Sequence, residues 1–203
     1  MKTKNILILD SSSKGKIIIL SKNNQIKTLK QPLISKDYVA SIISLIDTVL
    51  KENNITLKDL DFIIVGVGPG SYTGTRVSVL TAKMLAWTLQ IPLYQISSLI
   101  LLTSGYSSQF LTPLIDARNN SFFALSLNLK QICLKEGRYD SSFLQSFKNH
   151  ILISLESIKI SLDNIYLFMT QVLNPHLLVP NYLVKTQAER QLKDQKIIKD
   201  NIK

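Results

Sequence analysis

Short apolar runs separated by polar breaks open the chain, at residues 4–10 (KNILILD), 15–21 (GKIIILS) and 25–30 (QIKTLK). Aliphatic runs of this length, bounded by Ser, Asn and Lys, predict three strands. The breaks at Ser11–Lys14 and Asn23–Asn24 suit tight turns, because Asn tolerates the positive φ that short hairpins require. The period then changes. Val39, Ile42, Ile43, Ile46, Val49 and Leu50 recur at intervals of three and four, which predicts a helix over 36–51 capped by Ser35. A short helical turn opened by Thr56 leads to a buried strand at 62–67 (FIIVGV). A second helix over 75–89 carries Val77, Leu80, Met84 and Leu85 on one stripe, and 93–96 is a further strand after Pro92.

The second half carries weaker patterns. Ser97–Ser108 reads as a helical connector, 110–115 and 121–127 as strands joined by Asp116–Asn120, and 131–135 as a third strand. The pairs Ser142/Gln145 and Thr186/Glu189 resemble capping boxes and predict helices over 143–149 and at the C-terminal end. Ile165–Met169 reads as a strand. The order βββαβα, followed by a second succession of helix and strands, predicts a mixed α/β sheet covered by helices. The expected division lies near Ser97, giving units 1–97 and 98–203.

Hydrophobic residues make up 45% of the 203 residues and charged residues 19%, enough to bury a core. The longest apolar runs are four or five residues, against roughly 20 for a membrane span, so no membrane association is expected. The first run ends at Asp10, short of the roughly 7–15 residues of a signal-peptide core. Together with a lone cysteine, Cys133, this predicts a cytoplasmic protein. His150 and His176 have no acidic partner at ligand spacing, and no metal site is predicted. The net charge of +10 raises the question of nucleic acid, but 20 of the 24 basic residues are lysine. With abundant Asn and Ile, that composition fits AT-rich codon usage, and no basic stripe with interleaved aromatics accompanies it.

Four of the seven glycines, Gly66, Gly68, Gly70 and Gly74, fall within nine residues, between a predicted strand and a predicted helix. Pro69 stiffens the turn, and Ser71 or Thr73 can cap the helix. Free amides at a helix start attract phosphate, so a weak anion contact by Gly66–Gly74 with Ser71, Thr73 and Arg76 is one reading. A tight turn whose glycines permit close packing is the other. Neither the P-loop nor the dinucleotide-binding spacing is present, and the residues alone leave both readings open.

The segment GPGSYTGTRVS, Gly68 to Ser78, resembles the GPGSFTGLRIG signature of the bacterial TsaB (YeaZ) family. ILILDSSS at 6–13 is similar to that family's ILAIDTS opening. LIDARNNSFFA at 114–124 resembles its IDARRGEVY strand pair, and VPNYLVKTQAER at 179–190 its closing PxYLR segment. The four motifs occur in the family's order across nearly the whole chain.

The resemblance implies an actin-like ASKHA (ribonuclease H-like) α/β fold of two lobes, the second one shortened here. It implies a role in tRNA threonylcarbamoyladenosine biosynthesis, at adenosine 37 of tRNAs reading codons that begin with A. TsaB proteins are non-catalytic and pair with a TsaD-like catalytic subunit, which a TsaE-like ATPase joins. ATP and threonylcarbamoyl-AMP are used by the wider complex, with no cofactor bound by this chain and tRNA met through the complex. A homodimer in isolation is left open.

The family's partner surface maps to Val39, Ile42, Ile43 and Ile46 on the first helix and Val77, Leu80, Met84 and Trp87 on the second. A vestigial nucleotide site would involve Asp10, Ser11, Asp116 and Arg118. The residues themselves favour Asp10 as the cap of its own turn, and Asp116 with Arg118 as a pair across their hairpin. A glycoprotease-like hydrolase and a stand-alone nucleotide-binding module are the alternatives; no nucleophile–base set supports the former. Departures from the family are Ser35-Lys36-Asp37 in place of His-Ser-Glu, Val184 in place of the PxYLR arginine, and few motifs between 128 and 178.

Overall fold

The computed structural model describes residues 4–13, 15–30 and 38–183. The expected Ser35 cap and C-terminal helix, with Val184, lie outside these residues. Among the described residues, ten strands form two sheets. The chain opens with an antiparallel meander of β1 (Asn5–Asp10), β2 (Ile17–Lys22) and β3 (Gln25–Lys30). Asn23 and Asn24 take positive φ, 54° and 60°, at its second turn. α1 (Tyr38–Glu52) follows, then a 3-10 turn at Leu57–Asp59 and β4 (Phe62–Gly66), parallel to β1. α2 (Tyr72–Leu89) leads to β5 (Leu93–Ile96), parallel to β4. The connector helix α3 (Ser98–Thr103) then enters the second sheet.

That sheet contains β6 (Phe110–Asp116), β7 (Ser121–Asn128), β8 (Gln131–Asp140) and β9 (His150–Leu152), in the order β8-β7-β6-β9. A short helix α4 (Ser141–Leu144) precedes β9, and α5 (Leu162–Phe168) precedes β10 (Thr170–Val172). β10 returns to the first sheet, whose order is β10-β5-β4-β1-β2-β3. The mixed α/β class is the one expected from the sequence, and its strands divide between two sheets.

Both faces of the first sheet are covered, which is why its strands read as continuous apolar runs and not as alternating ones. Leu7, Leu9, Ile18, Leu20, Ile63 and Val65 face α1 and α2. Ile6, Ile8, Ile17, Ile19 and Ile64 face a second core built with α3, β6, β7 and α5. All six residues of α3 are buried, so this helix is the plug between the two sheets.

Several expectations are corrected. Residues 165–168 are helix where a strand over 165–169 was expected: Leu162 and Ile165, three apart, are buried on one side, and the strand comes afterwards at 170–172. The helix expected over 143–149 is the single turn α4, with Asp140 and not Ser142 at its N-cap, because the chain must open out to pair β9 with β6. β8 runs five residues beyond the expected 135. α2 begins at Tyr72, three residues early, because Ser71 supplies the cap. The division at Ser97 does not hold to the C-terminal end, since β10 and the residues after it pack on the first sheet.

The shared plug predicts joint unfolding of the two lobes. Leu101→Ala, at a fully buried position, is expected to cost about 2–5 kcal/mol. Denaturant melts followed by near- and far-ultraviolet circular dichroism should shift together; a shift of one signal alone would contradict a common core.

Candidate functional site

At the C-terminal end of β1 the chain places a carboxylate where no water reaches. Asp10 is 0% exposed. Its Oδ1 accepts the Ser12 amide at 2.8 Å and the Ser12 hydroxyl at 2.7 Å, and its Oδ2 accepts the Ser98 hydroxyl from the start of α3. Burial pushes this carboxyl above its ordinary range, against the opposing pull of Ser98 and Ser12. The Ser12 bonds are those of a residue capping its own turn.

The glycine segment closes over this carboxylate. A Cβ on Gly66 would stand 1.8 Å from Asp10 Oδ2, and one on Gly74 would stand 1.9 Å from the Ser11 carbonyl oxygen. Gly68 and Gly70 take φ of 96° and 153°. The Gly68 amide donates to Ser98 Oγ at 2.9 Å, the Ser71 amide to the Ser12 carbonyl at 2.7 Å, and Gly74 N–H to the capping Ser71 Oγ at 3.2 Å. Of the two readings of the loop, close packing accounts for the glycines: the loop amides at 68, 71 and 74 are bonded within the fold. Pro69 is buried, Thr73 is exposed, and Arg76 lies along the exposed Tyr72 ring, 5.2 Å from its centre.

This turn aims α2. Gly74, Ser78, Ala82 and Ala86, four apart, are buried against the sheet. Small residues there, with Val79 buried beside them, let the helix approach closely and leave Leu80, Met84 and Trp87 outside. Leu80, Met84 and Trp87 are 57%, 62% and 53% exposed. Periodicity alone favoured burial of the stripe Val77, Leu80, Met84 and Leu85; Val77 and Leu85 do pack against the core, whereas Leu80 and Met84 are turned outside it. Val77 is half-buried. On α1, which packs beside α2, Ile43 is 54% exposed. Ile42 and Ile46 are buried in the core, so these two leave the expected partner surface. The Val39 side chain lies outside the described residues.

The expected vestigial nucleotide residues do not converge. Asp10 and Ser11 are buried beneath the loop, and the Ser11 hydroxyl finds no hydrogen-bond partner among the described residues. Asp116 and Arg118 lie across an open cleft of about 940 Å³, facing Ser12, Ser13 and the start of α2. Asp116 Oδ1 accepts the Arg118 amide at 2.8 Å, so their contact is carboxylate to backbone where a side-chain pair was expected. Among the described residues, no group of three His, Cys, Asp or Glu side chains is placed to hold a metal, and no helix is long and apolar enough to cross a membrane.

Sequence reasoning missed the segment that follows β10. Lys83 of α2 donates to the carbonyls of His176 and Leu178 at 3.0 and 2.8 Å, and the Trp87 and His176 rings meet edge-on at 4.3 Å. The Asn181 amide donates to the Val67 carbonyl at 2.7 Å, and its side chain donates to Glu136 Oε2 at 2.8 Å. Glu136, on β8, also accepts the Ser97 hydroxyl. Burial raises the Glu136 carboxyl, with the Ser97 and Asn181 bonds opposing. Asn181 lies within the VPNYL motif, the one signal that could have drawn attention here; Glu136 and Ser98 carry none.

Residues 20–139, more than half of the chain, match the family model described as "TsaD: tRNA N6-adenosine threonylcarbamoyltransferase". The chain is similar to the tRNA threonylcarbamoyladenosine biosynthesis protein TsaB of Bacillus subtilis, with 31% identity over 58% of this chain and 52% of that one. It is also similar to TsaB of Buchnera aphidicola from Schizaphis graminum, with 35% identity over 48% of this chain and 46% of that one. The chain thus spans about half the length of these curated relatives. In fold it is similar to a crystal structure from Pseudomonas aeruginosa described as an uncharacterized protein with similarity to peptidase YeaZ. That likeness has a TM-score of 0.72 at 18% identity and covers 89% of this chain and all of that one.

Two outcomes test the packing account. Gly74→Ala forces a carbon onto the Ser11 backbone and should cost at least about 2 kcal/mol, read as a lowered Tm; wild-type stability would mean the glycine serves a ligand. Glu136, raised above its ordinary 4.5, binds more protons folded than unfolded between those two values, so its contribution to stability falls as pH rises through that interval. Glu136→Gln should therefore shrink the drop in Tm over the interval, with the same-signed contribution of Asp10 retained. An unchanged profile would contradict the burial argument.

Proposed function

This chain belongs to the tRNA N6-adenosine threonylcarbamoyltransferase (TsaD) family, in its TsaB (YeaZ) branch, and on that premise we propose that it is a non-catalytic subunit. It binds and organises a TsaD-like catalytic subunit, with a TsaE-like ATPase, for threonylcarbamoyladenosine formation in tRNA. The observation that carries this reading is the division of α2 into a buried small-residue face and an exposed face of Leu80, Met84 and Trp87. Exposed apolar side chains grouped on one helix mark an interaction surface. Trp and Met are effective anchors, one large and rigid, the other adaptable.

The loop chemistry supports the same reading. A glycine segment that contacted a nucleotide would turn its amides outward; here those of Gly68, Ser71 and Gly74 bond inward, to Ser98, Ser12 and Ser71. The buried Asp10 carboxylate is occupied by three hydroxyl and amide donors beneath the loop. ATP and the activated threonylcarbamoyl donor are accordingly assigned to the partners, with tRNA met through the assembled complex in the cytoplasm.

The test is association. Leu80→Glu with Met84→Glu, both on the exposed face, should leave the fold intact by circular dichroism and weaken binding to a TsaD-like subunit at least about 30-fold, the scale of one lost hot spot. Formation of the modified nucleoside in a reconstituted mixture should fall with it. Wild-type binding by this variant, or full product yield with the chain omitted, would refute the proposal.

A further inference from the structure

Resting on that reading, we propose that the strap Leu173–Leu183 is a third element of the docking face, so that the homologous catalytic subunit covers the strap together with α1 and α2. The strap runs along α2 in the opposite direction. Tyr182 stands beside Tyr72 at the helix start, with ring centres 5.0 Å apart, and His176 stands against Trp87 near its end. It therefore borders the exposed stripe over nearly the whole helix.

The strap's backbone is held from inside. Lys83 takes the carbonyls on either side of Leu177, the Leu178 side chain is buried in the core beside α2, and the Asn181 amide is bonded to Val67. Pro175 and Pro180 fix two more backbone angles. The side chains of Leu177 and Val179 flank the buried Leu178 and remain 75% and 69% exposed, and Leu173 is 92% exposed. A segment fixed by its backbone that turns Leu173, Leu177 and Val179 outward is preorganised for burial by a partner, which lowers the ordering cost of association.

Composition and area agree. Residues 173–183 (LNPHLLVPNYL) contain no Lys, Arg, Asp or Glu in a chain where 19% of residues are charged. Depletion of charge marks the centre of interfaces. A stable interface buries roughly 800 Å² on each partner. Ile43, Leu80, Met84 and Trp87 are four half-exposed side chains and fall short of that area; Leu173, Leu177 and Val179 extend the apolar surface beside them. An uncharged, extended face of this kind fits an apolar helix pair on a chain of the same fold. The match of residues 20–139 to the catalytic subunit's family model supplies such a chain.

The experiment compares two variants by calorimetric titration with the homologous catalytic subunit. Leu177→Asp with Val179→Asp changes only exposed positions and should keep Tm within about a degree of wild type, while weakening binding at least tenfold. Lys83→Met, which releases both strap carbonyls, should weaken binding in the same direction. Wild-type affinity of the Leu177/Val179 variant, with the Leu80/Met84 variant impaired, would remove the strap from the interface and leave the subunit reading standing. Wild-type affinity of both would overturn that reading as well. Loss of self-association alone, with the catalytic subunit bound normally, would overturn the choice of occupant.

Discussion

The structure depends on a carboxylate buried at the end of β1. Asp10 holds its own turn through Ser12 and holds the start of α3 through Ser98. Leaving those donors unmatched in the core would cost roughly 1–3 kcal/mol each, so turn, connector helix and glycine loop are tied to one point. The glycines follow from that constraint. Gly66 and Gly74 leave room for Asp10 and for the Ser11 carbonyl, and any side chain there would displace the loop. Two glycines of the loop thus provide the clearance around an internal anchor.

The direction of α2 follows from the anchor. Ser71 is bonded to Ser12 and caps the helix, so α2 leaves the loop at a fixed point and lays Gly74, Ser78, Ala82 and Ala86 on the sheet. Leu80, Met84 and Trp87 are turned outward as a result. The same helix then serves as the bed for the strap through Lys83 and Trp87. Glu136 and Asn181 tie that strap to the second sheet, so both lobes help to shape one surface.

The first lobe was legible in the sequence because its signals are local. Asn23–Asn24, the α1 stripe and the FIIVG run each carry their own periodicity or turn chemistry, and β1 to β5 fall within two residues of expectation. The second half was less legible because tertiary packing decides it. Ile165–Met169 has strand-like composition, yet burial of Leu162 and Ile165 on one side makes it helix as far as Phe168. The exposed face of α2 misled by the same logic, since apolar spacing says which residues share a side and not which side is buried. Ile42 and Ile46 show the reverse case, where the core claims residues that family likeness placed on the partner surface. Ser98 and Glu136 join distant segments, and no local pattern marks them.

The central claim is that the loop around Pro69 is a scaffold that presents α2 for docking. Hydroxyl-radical footprinting tests it most directly, because Met and Trp side chains are readily oxidised where solvent reaches them. Met84 and Trp87 should be oxidised in the isolated protein and strongly protected once the TsaD-like subunit is added, with Tyr72 and Phe123, which both line the cleft between the start of α2 and Asp116, unchanged by ATP. Undiminished oxidation of Met84 and Trp87 in the complex, with ATP alone shielding the cleft residues, would contradict the account.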